Sequence, residues 1–102
     1  MPPRKRSKRS ENQRVRLDVI PTEPYLQAFV ALPDAIQQIV VNKLRLLVNN
    51  PAHPSLQAHR LHSTTDQWCC YITHRVRLRY RRQRHRCWLL DVGFHRIVDR
   101  FP

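Results

Sequence analysis

Acidic residues are scarce in this sequence: 7 Asp and Glu stand against 19 Lys and Arg, for a net charge of +12. So cationic a chain attracts polyanions, and RNA, DNA or a ribosome suits it better than an acidic protein or an anionic lipid. Arginine dominates, and its planar fork fits phosphate better than the point charge of lysine. The same scarcity leaves no carboxylate cluster of the kind that two-metal hydrolysis needs. Long apolar runs are missing as well. Those around Ile36–Val41 and Cys87–Leu90 fall far short of the roughly 20 residues a bilayer requires, so no membrane span is expected. No apolar stretch follows the basic N-terminus, as a secretory signal would demand, and a cytoplasmic protein is expected. Cysteine is limited to Cys69, Cys70 and Cys87, and an odd count with an adjacent pair argues against a disulfide framework. There is no Cys-x-x-Cys, and no pair among His53, His59, His62, His74, His85 and His95 has a metal-ligand spacing. Neither zinc nor another cofactor is expected.

What is present is enough for one domain. At 102 residues with 41% apolar content, the chain supports a single modest core. Residues 1–13 stand apart: Arg4, Lys5, Arg6, Lys8 and Arg9 crowd a segment with almost nothing apolar, which predicts a disordered tail. That tail is either a solvated appendage or an additional nucleic-acid-binding arm. Residues 14–102 form the predicted domain. Val15, Leu17 and Val19 alternate with Arg16, Asp18 and Ile20, predicting a first strand that Pro21 ends. Thr22 can cap a short helix carrying Glu23 and Pro24 in its first turn. Leu32-Pro33-Asp34 breaks it, and Ile36, Ile39, Val40, Leu44, Leu47 and Val48 predict a second helix that Asn49-Asn50-Pro51 stops. Leu56–His62 reads as a strand, and so does the segment in which Trp68, Cys70 and Ile72 alternate with Cys69, Tyr71 and Thr73. A strand follows over Arg75 to Arg82, then a reversal near Gln83-Arg84 and an apolar strand Cys87–Val92 ended by Gly93, the only glycine. The expected fold class is α+β: an N-terminal strand, a helical hairpin, then a four-stranded antiparallel meander, with the helices on one face.

The strand Arg75–Arg82 carries the most information. Val76, Leu78 and Tyr80 point one way, and Arg75, Arg77, Arg79 and Arg81 the other. Burying unpaired arginines costs far more than burying Val, Leu and Tyr, so the arginines are expected on the open side of the sheet. Like charges two residues apart repel, and carboxylates or a polyanionic ligand must offset them. Asp91 is the only obvious acid nearby in sequence. The face is either a solvated surface or a phosphate-binding one. Tyr71 has the parity to join it and stack on a base, or to serve as a core or edge residue. His95, after the lone glycine, is placed at a strand end where an acid or base can act. His59 and His62 flank Arg60. Each histidine taken singly is more often a surface residue than a catalyst.

The ordered words resemble the RelE/ParE toxin superfamily. Leu32-Pro33 with Ile36-Gln37 resembles that family's "LP..IQ", and Asn50-Pro51-x-His53-Pro54-Ser55-Leu56 its "NPxHPSL", with Leu61 following. Trp68, Ile72 and Arg77 resemble "W…I….YR". Val92-Gly93-Phe94-His95 resembles "VGxH", with Asp99-Arg100 behind it. The resemblance implies the toxin of a type II toxin–antitoxin system. Its partners would be a cognate antitoxin, mRNA on the ribosome and, through the antitoxin complex, operator DNA. RelE-like members cut mRNA in the ribosomal A site without a metal, whereas ParE-like members poison DNA gyrase. An inactive copy that acts as co-repressor is a third reading. The resemblance gives Arg77 the scissile-phosphate contact, His95 the role of acid or base, and Arg60, His59 and His62 a catalytic strand. Arg60, Arg75, Arg79 and Arg81, with Tyr71, would bind RNA. Val76 departs from the family's tyrosine, Tyr71 stands where arginine is common, and Arg82-Gln83-Arg84-His85 replaces a glycine-containing reversal.

Overall fold

A computed structural model describes residues 16–61 and 66–94. Within them the order is β1 (Asp18–Pro21), α1 (Glu23–Val30), α2 (Asp34–Asn49), a 3-10 turn (Pro54–Leu56), β2 (His59–Arg60), β3 (Gln67–Tyr71), β4 (Val76–Gln83) and β5 (Arg86–Phe94). The basic segment 1–13, His62 and His95 lie outside the described residues.

The sheet runs β1-β5-β4-β3-β2. β2 to β5 form the antiparallel meander, and β1 adds to its far edge in parallel with β5. Two expected strands differ in extent. Leu56–His62 yields only the two-residue β2, because Pro54 opens a 3-10 turn and Gln57 takes φ 47, a left-handed conformation no strand accepts. Gly93 does not end β5, which continues through Phe94.

Local hydrogen bonds account for several of the sequence words. Thr22 occupies the N-cap position of α1 without capping it: its Oγ1 donates to the Leu89 carbonyl at 2.7 Å, and its N–H donates to the same oxygen at 3.1 Å. The residue therefore ties the start of α1 to β5, leaving Pro24 and Glu23 to suit the helix start. Gln37 of α2 donates through Nε2 to the carbonyls of Phe29 and Leu32 at 3.0 and 3.2 Å, which ties the end of α1 and the Leu32-Pro33 break to the first turn of α2. His53 Nδ1 accepts from the Ser55 N–H at 3.1 Å, which fixes the turn into Pro54–Leu56.

The core lies between the helices and one sheet face. Val40 and Leu47 of α2 are fully buried in one cluster with Leu56, Cys70, Leu78, Tyr80, Leu89 and Val92. The inward positions of β5 are Cys87, Leu89 and Val92, which breaks strict alternation. A bulge explains it: Arg79 pairs with Asp91 and Tyr80 with Leu89, so Leu90 is the extra residue and parity reverses across it. Among the described residues, no helix is long and apolar enough to cross a membrane.

Candidate nucleic-acid interface

Directly paired residues of neighbouring strands share a face. The face away from Leu78 and Tyr80 therefore holds three rows: Tyr71, Arg77 and Gly93; His59, Cys69, Arg79 and Asp91; and Gln67, Arg81, Trp88 and Ile20. The arginines of β4 stand on the side expected for them, away from the core. They were expected to be open to solvent there, and they are so to different degrees.

Arg77 is only 6% exposed. Its guanidinium carbon lies 3.6 Å from the centroid of the Tyr71 ring, and its Nη1 donates to the carbonyls of His74 and Thr73 at 2.8 and 3.4 Å. Stacking and carbonyl acceptors replace the water that a guanidinium would otherwise keep, which corrects the expectation of a solvent-open Arg77. Tyr71 is on the open side, with one face of its ring covered by Arg77. Arg79 is half-buried and donates through Nη1 to Gln67 Oε1 at 2.9 Å; its register partner Asp91 accepts from the Val92 N–H. Arg81 is exposed, and its Nε lies 3.7 Å from Asp66 Oδ2. Asp66 also accepts from Gln83 Nε2 at 2.8 Å, so the acid beside this end of the row is Asp66, reached across the sheet, rather than Asp91. An exposed ion pair of this length adds little stability, and leaves Arg81 available to another anion. Arg75 precedes β4 and is exposed in the turn, where its N–H donates to Thr73 Oγ1.

β2 separates two residues that the sequence grouped. His59 pairs with Cys69 and reaches the open face, whereas Arg60 pairs with Trp68 and points to the helix side. There the guanidinium carbons of Arg60 and Arg82 lie 5.9 and 5.8 Å from the Trp68 ring centroid, beside a cavity of about 400 Å³ lined in part by Asn50, Pro51, His53 and Ala58. Arg60 therefore stands on the opposite side of the sheet from His59 and the β4 arginines. His59 is exposed, and its Nδ1 lies 3.2 Å from the Gln57 carbonyl oxygen. With Nδ1 as donor, Nε2 is left as the basic nitrogen. The two helix-side thiols, Cys70 and Cys87, take no part in the open-face chemistry. Burial pushes Cys87 up to about 12 and Cys70 higher still, so both stay protonated at neutral pH. Asp66 and Trp88 belong to this face although the sequence did not single them out. Asp66 is brought in across a strand pair, and the bulge at Leu90 conceals the parity of Trp88.

No protein-family model and no curated protein sequence matches the chain. Solved structures do. A YafQ toxin of E. coli, solved in the DinJ–YafQ toxin–antitoxin complex, aligns at TM-score 0.70 with 15% identity over 82% of this chain and 98% of that one. The YoeB/ParE toxin of Agrobacterium tumefaciens aligns at 0.65 with 18% identity over 78% and 99%. The chain has the fold of the RelE/ParE toxins. An archaeal RelE from Pyrococcus horikoshii, solved with RelB, shares that RelE/ParE fold at TM-score 0.63 and 16% identity, over 76% of this chain and 93% of its own.

Proposed function

We propose that this protein is the toxin of a type II toxin–antitoxin system and acts as a metal-independent endoribonuclease on ribosome-bound mRNA. The observation that carries this reading is the graded arginine row of β4. Arg77 is held rigid against Tyr71, Arg79 is half-held, and Arg81 is exposed, on a face with few acids. RNA supplies its own nucleophile, the 2′-hydroxyl beside the phosphate it attacks. The protein must align that sugar, take a proton, return one to the leaving oxygen and stabilise the pentavalent phosphate. Arg77 is a guanidinium fixed before substrate arrives, so its field needs no reorganisation when charge develops. Arg79, Arg81 and Arg75 have the solvent reach to grip neighbouring phosphates. His59, through Nε2, takes one proton-transfer role, and the family resemblance assigns His62 and His95 to the same chemistry.

Solved relatives of this fold occur as complexes named DinJ–YafQ and RelE–RelB, which supports a small antitoxin partner here. An antitoxin that neutralises this toxin would bring acidic side chains to the arginine row. The test is single-turnover cutting of mRNA in programmed ribosomes. We expect cutting by the parent, loss with Arg77→Ala, and at least a tenfold drop with His95→Gln while RNA binding persists. Growth arrest by a parent that cuts nothing would replace this reading with gyrase poisoning.

A further inference from the structure

The open face continues past Arg81. Trp88 of β5 pairs directly with Arg81 and with Ile20 of β1, so its half-buried indole shares the side of Arg77 and Arg79. A cavity of about 480 Å³ opens there, lined by Trp88, Asp18, Gln83, Arg84, His85 and Arg86. Arg84, His85 and Arg86 are exposed. Among the described residues, neither Arg84 nor Arg86 has an ion pair or a side-chain hydrogen bond, and no cation or ring covers Trp88. Asp18, the register partner of Arg86, is the one acid in the lining, against two guanidinium groups. Arg84 also has φ 57, at the first position of the two-residue loop between Gln83 and Arg86. Hairpins with a positive φ there favour glycine, so the backbone gains nothing from arginine at this site. Strain of this kind points to what the side chain does.

We propose that Trp88, Arg84 and Arg86 form a nucleotide subsite for single-stranded RNA, with an unpaired base stacked on the indole and flanking phosphates against the two guanidinium groups. The proposal rests on the RNA-binding reading above and extends it. Arg77 already occupies one face of the Tyr71 ring, whereas among the described residues no cation or ring lies over Trp88, the more open stacking platform of this face. The Trp88 row lies four residues along β4 from the Arg77 row, about 13 Å away. A strand held at Arg77 reaches Trp88 within a few nucleotides. Duplex RNA has its bases stacked already and presents none to the indole.

Titrating the full chain with oligouridylate, read by tryptophan fluorescence over a range of salt, tests this. Saturation should quench the indole signal, and Trp88→Leu should abolish most of that quench while lowering affinity about 5- to 150-fold. Trp88→Phe should retain most of the affinity. Should Trp88→Leu fail to fold, the exposed pair Arg84→Ala/Arg86→Ala still decides the matter. It should reduce the slope of log affinity against log salt by about 1.4. If the parent binds oligouridylate and Arg77→Ala weakens it, while the Trp88 and arginine-pair variants match the parent, the subsite is overturned and the RNA-binding reading stands. A parent that binds no RNA overturns both.

Discussion

β4 presents two faces from eight consecutive residues, and packing treats them differently. On the helix side, Val76, Leu78 and Tyr80 are between 0 and 1% exposed, and their environment is uniform. On the open side, exposure rises along the strand, from Arg77 at 6% through half-buried Arg79 to exposed Arg81. One face fills space. The other fixes charge at one end and leaves it adjustable at the other, as expected where chemistry needs a rigid group and substrate capture needs reach.

The comparison breaks most severely on the helix side. Leu78→Ala should cost about 2–5 kcal/mol, because Leu78 is wholly buried against the α2 core and the cavity cannot collapse freely. Urea denaturation measures it. On the open side Arg81→Ala should stay within about 0.5 kcal/mol of the parent. Equal losses would mean that the two faces do not differ as described.

Next in size is a difference within the open face. Arg77→Ala should slow single-turnover RNA cutting about 10²- to 10³-fold, the usual loss for a preorganised charge-stabilising donor. Arg81→Ala should slow it less than tenfold, since Asp66 already shares its charge and a mobile side chain is easily replaced. Matching effects would show that fixing Arg77 against Tyr71 contributes nothing to the chemistry.

A smaller effect concerns pH and the helix side alone. Cys87, raised by burial to about 12 from its ordinary value of 9.0, keeps its proton in the folded chain after the unfolded chain has lost it. A raised folded value gives stability that is complete below about 9 and disappears as pH climbs towards about 12. Tyr25, raised to about 12 from 10.0, acts in the same direction. Thermal midpoints should fall progressively above pH 9, and Cys87→Ala should flatten the first part of that decline. A flat profile in the parent would contradict the burial of these groups.

The element order, the helix boundaries and the inward set Val76, Leu78 and Tyr80 were legible from periodicity, because burial of apolar residues dictates them. The RelE/ParE resemblance was legible from short words such as Gln37 after Ile36 and His53-Pro54-Ser55, which make local hydrogen bonds. The state of Arg77 was not legible. Parity says which side a residue takes, but not that an aromatic ring and two carbonyls will enclose it there. The side that Arg60 takes was not legible either, because Gln57, at φ 47, shortens β2 and leaves its parity to the pairing with Trp68. Trp88 was hidden by the bulge at Leu90, since a one-residue slip reverses every side chain beyond it.

The smallest effect is also the sharpest separation of backbone from function. At Arg84, φ 57 costs a non-glycine residue about 1–2 kcal/mol. Glycine removes that cost, although its freedom in the unfolded chain takes back about 0.5–1 kcal/mol. Arg84→Gly should therefore stabilise the fold by a net amount of about 0.5–1 kcal/mol, read as a rise in the urea midpoint at unchanged slope. The same substitution removes a guanidinium from beside Trp88, so the salt slope of oligouridylate binding should fall by about 0.7. Helix-side variants lose stability and function together, because binding needs the fold. Arg84→Gly should move them in opposite directions. A variant both more stable and unaltered in its salt dependence would mean that the strained turn serves no ligand.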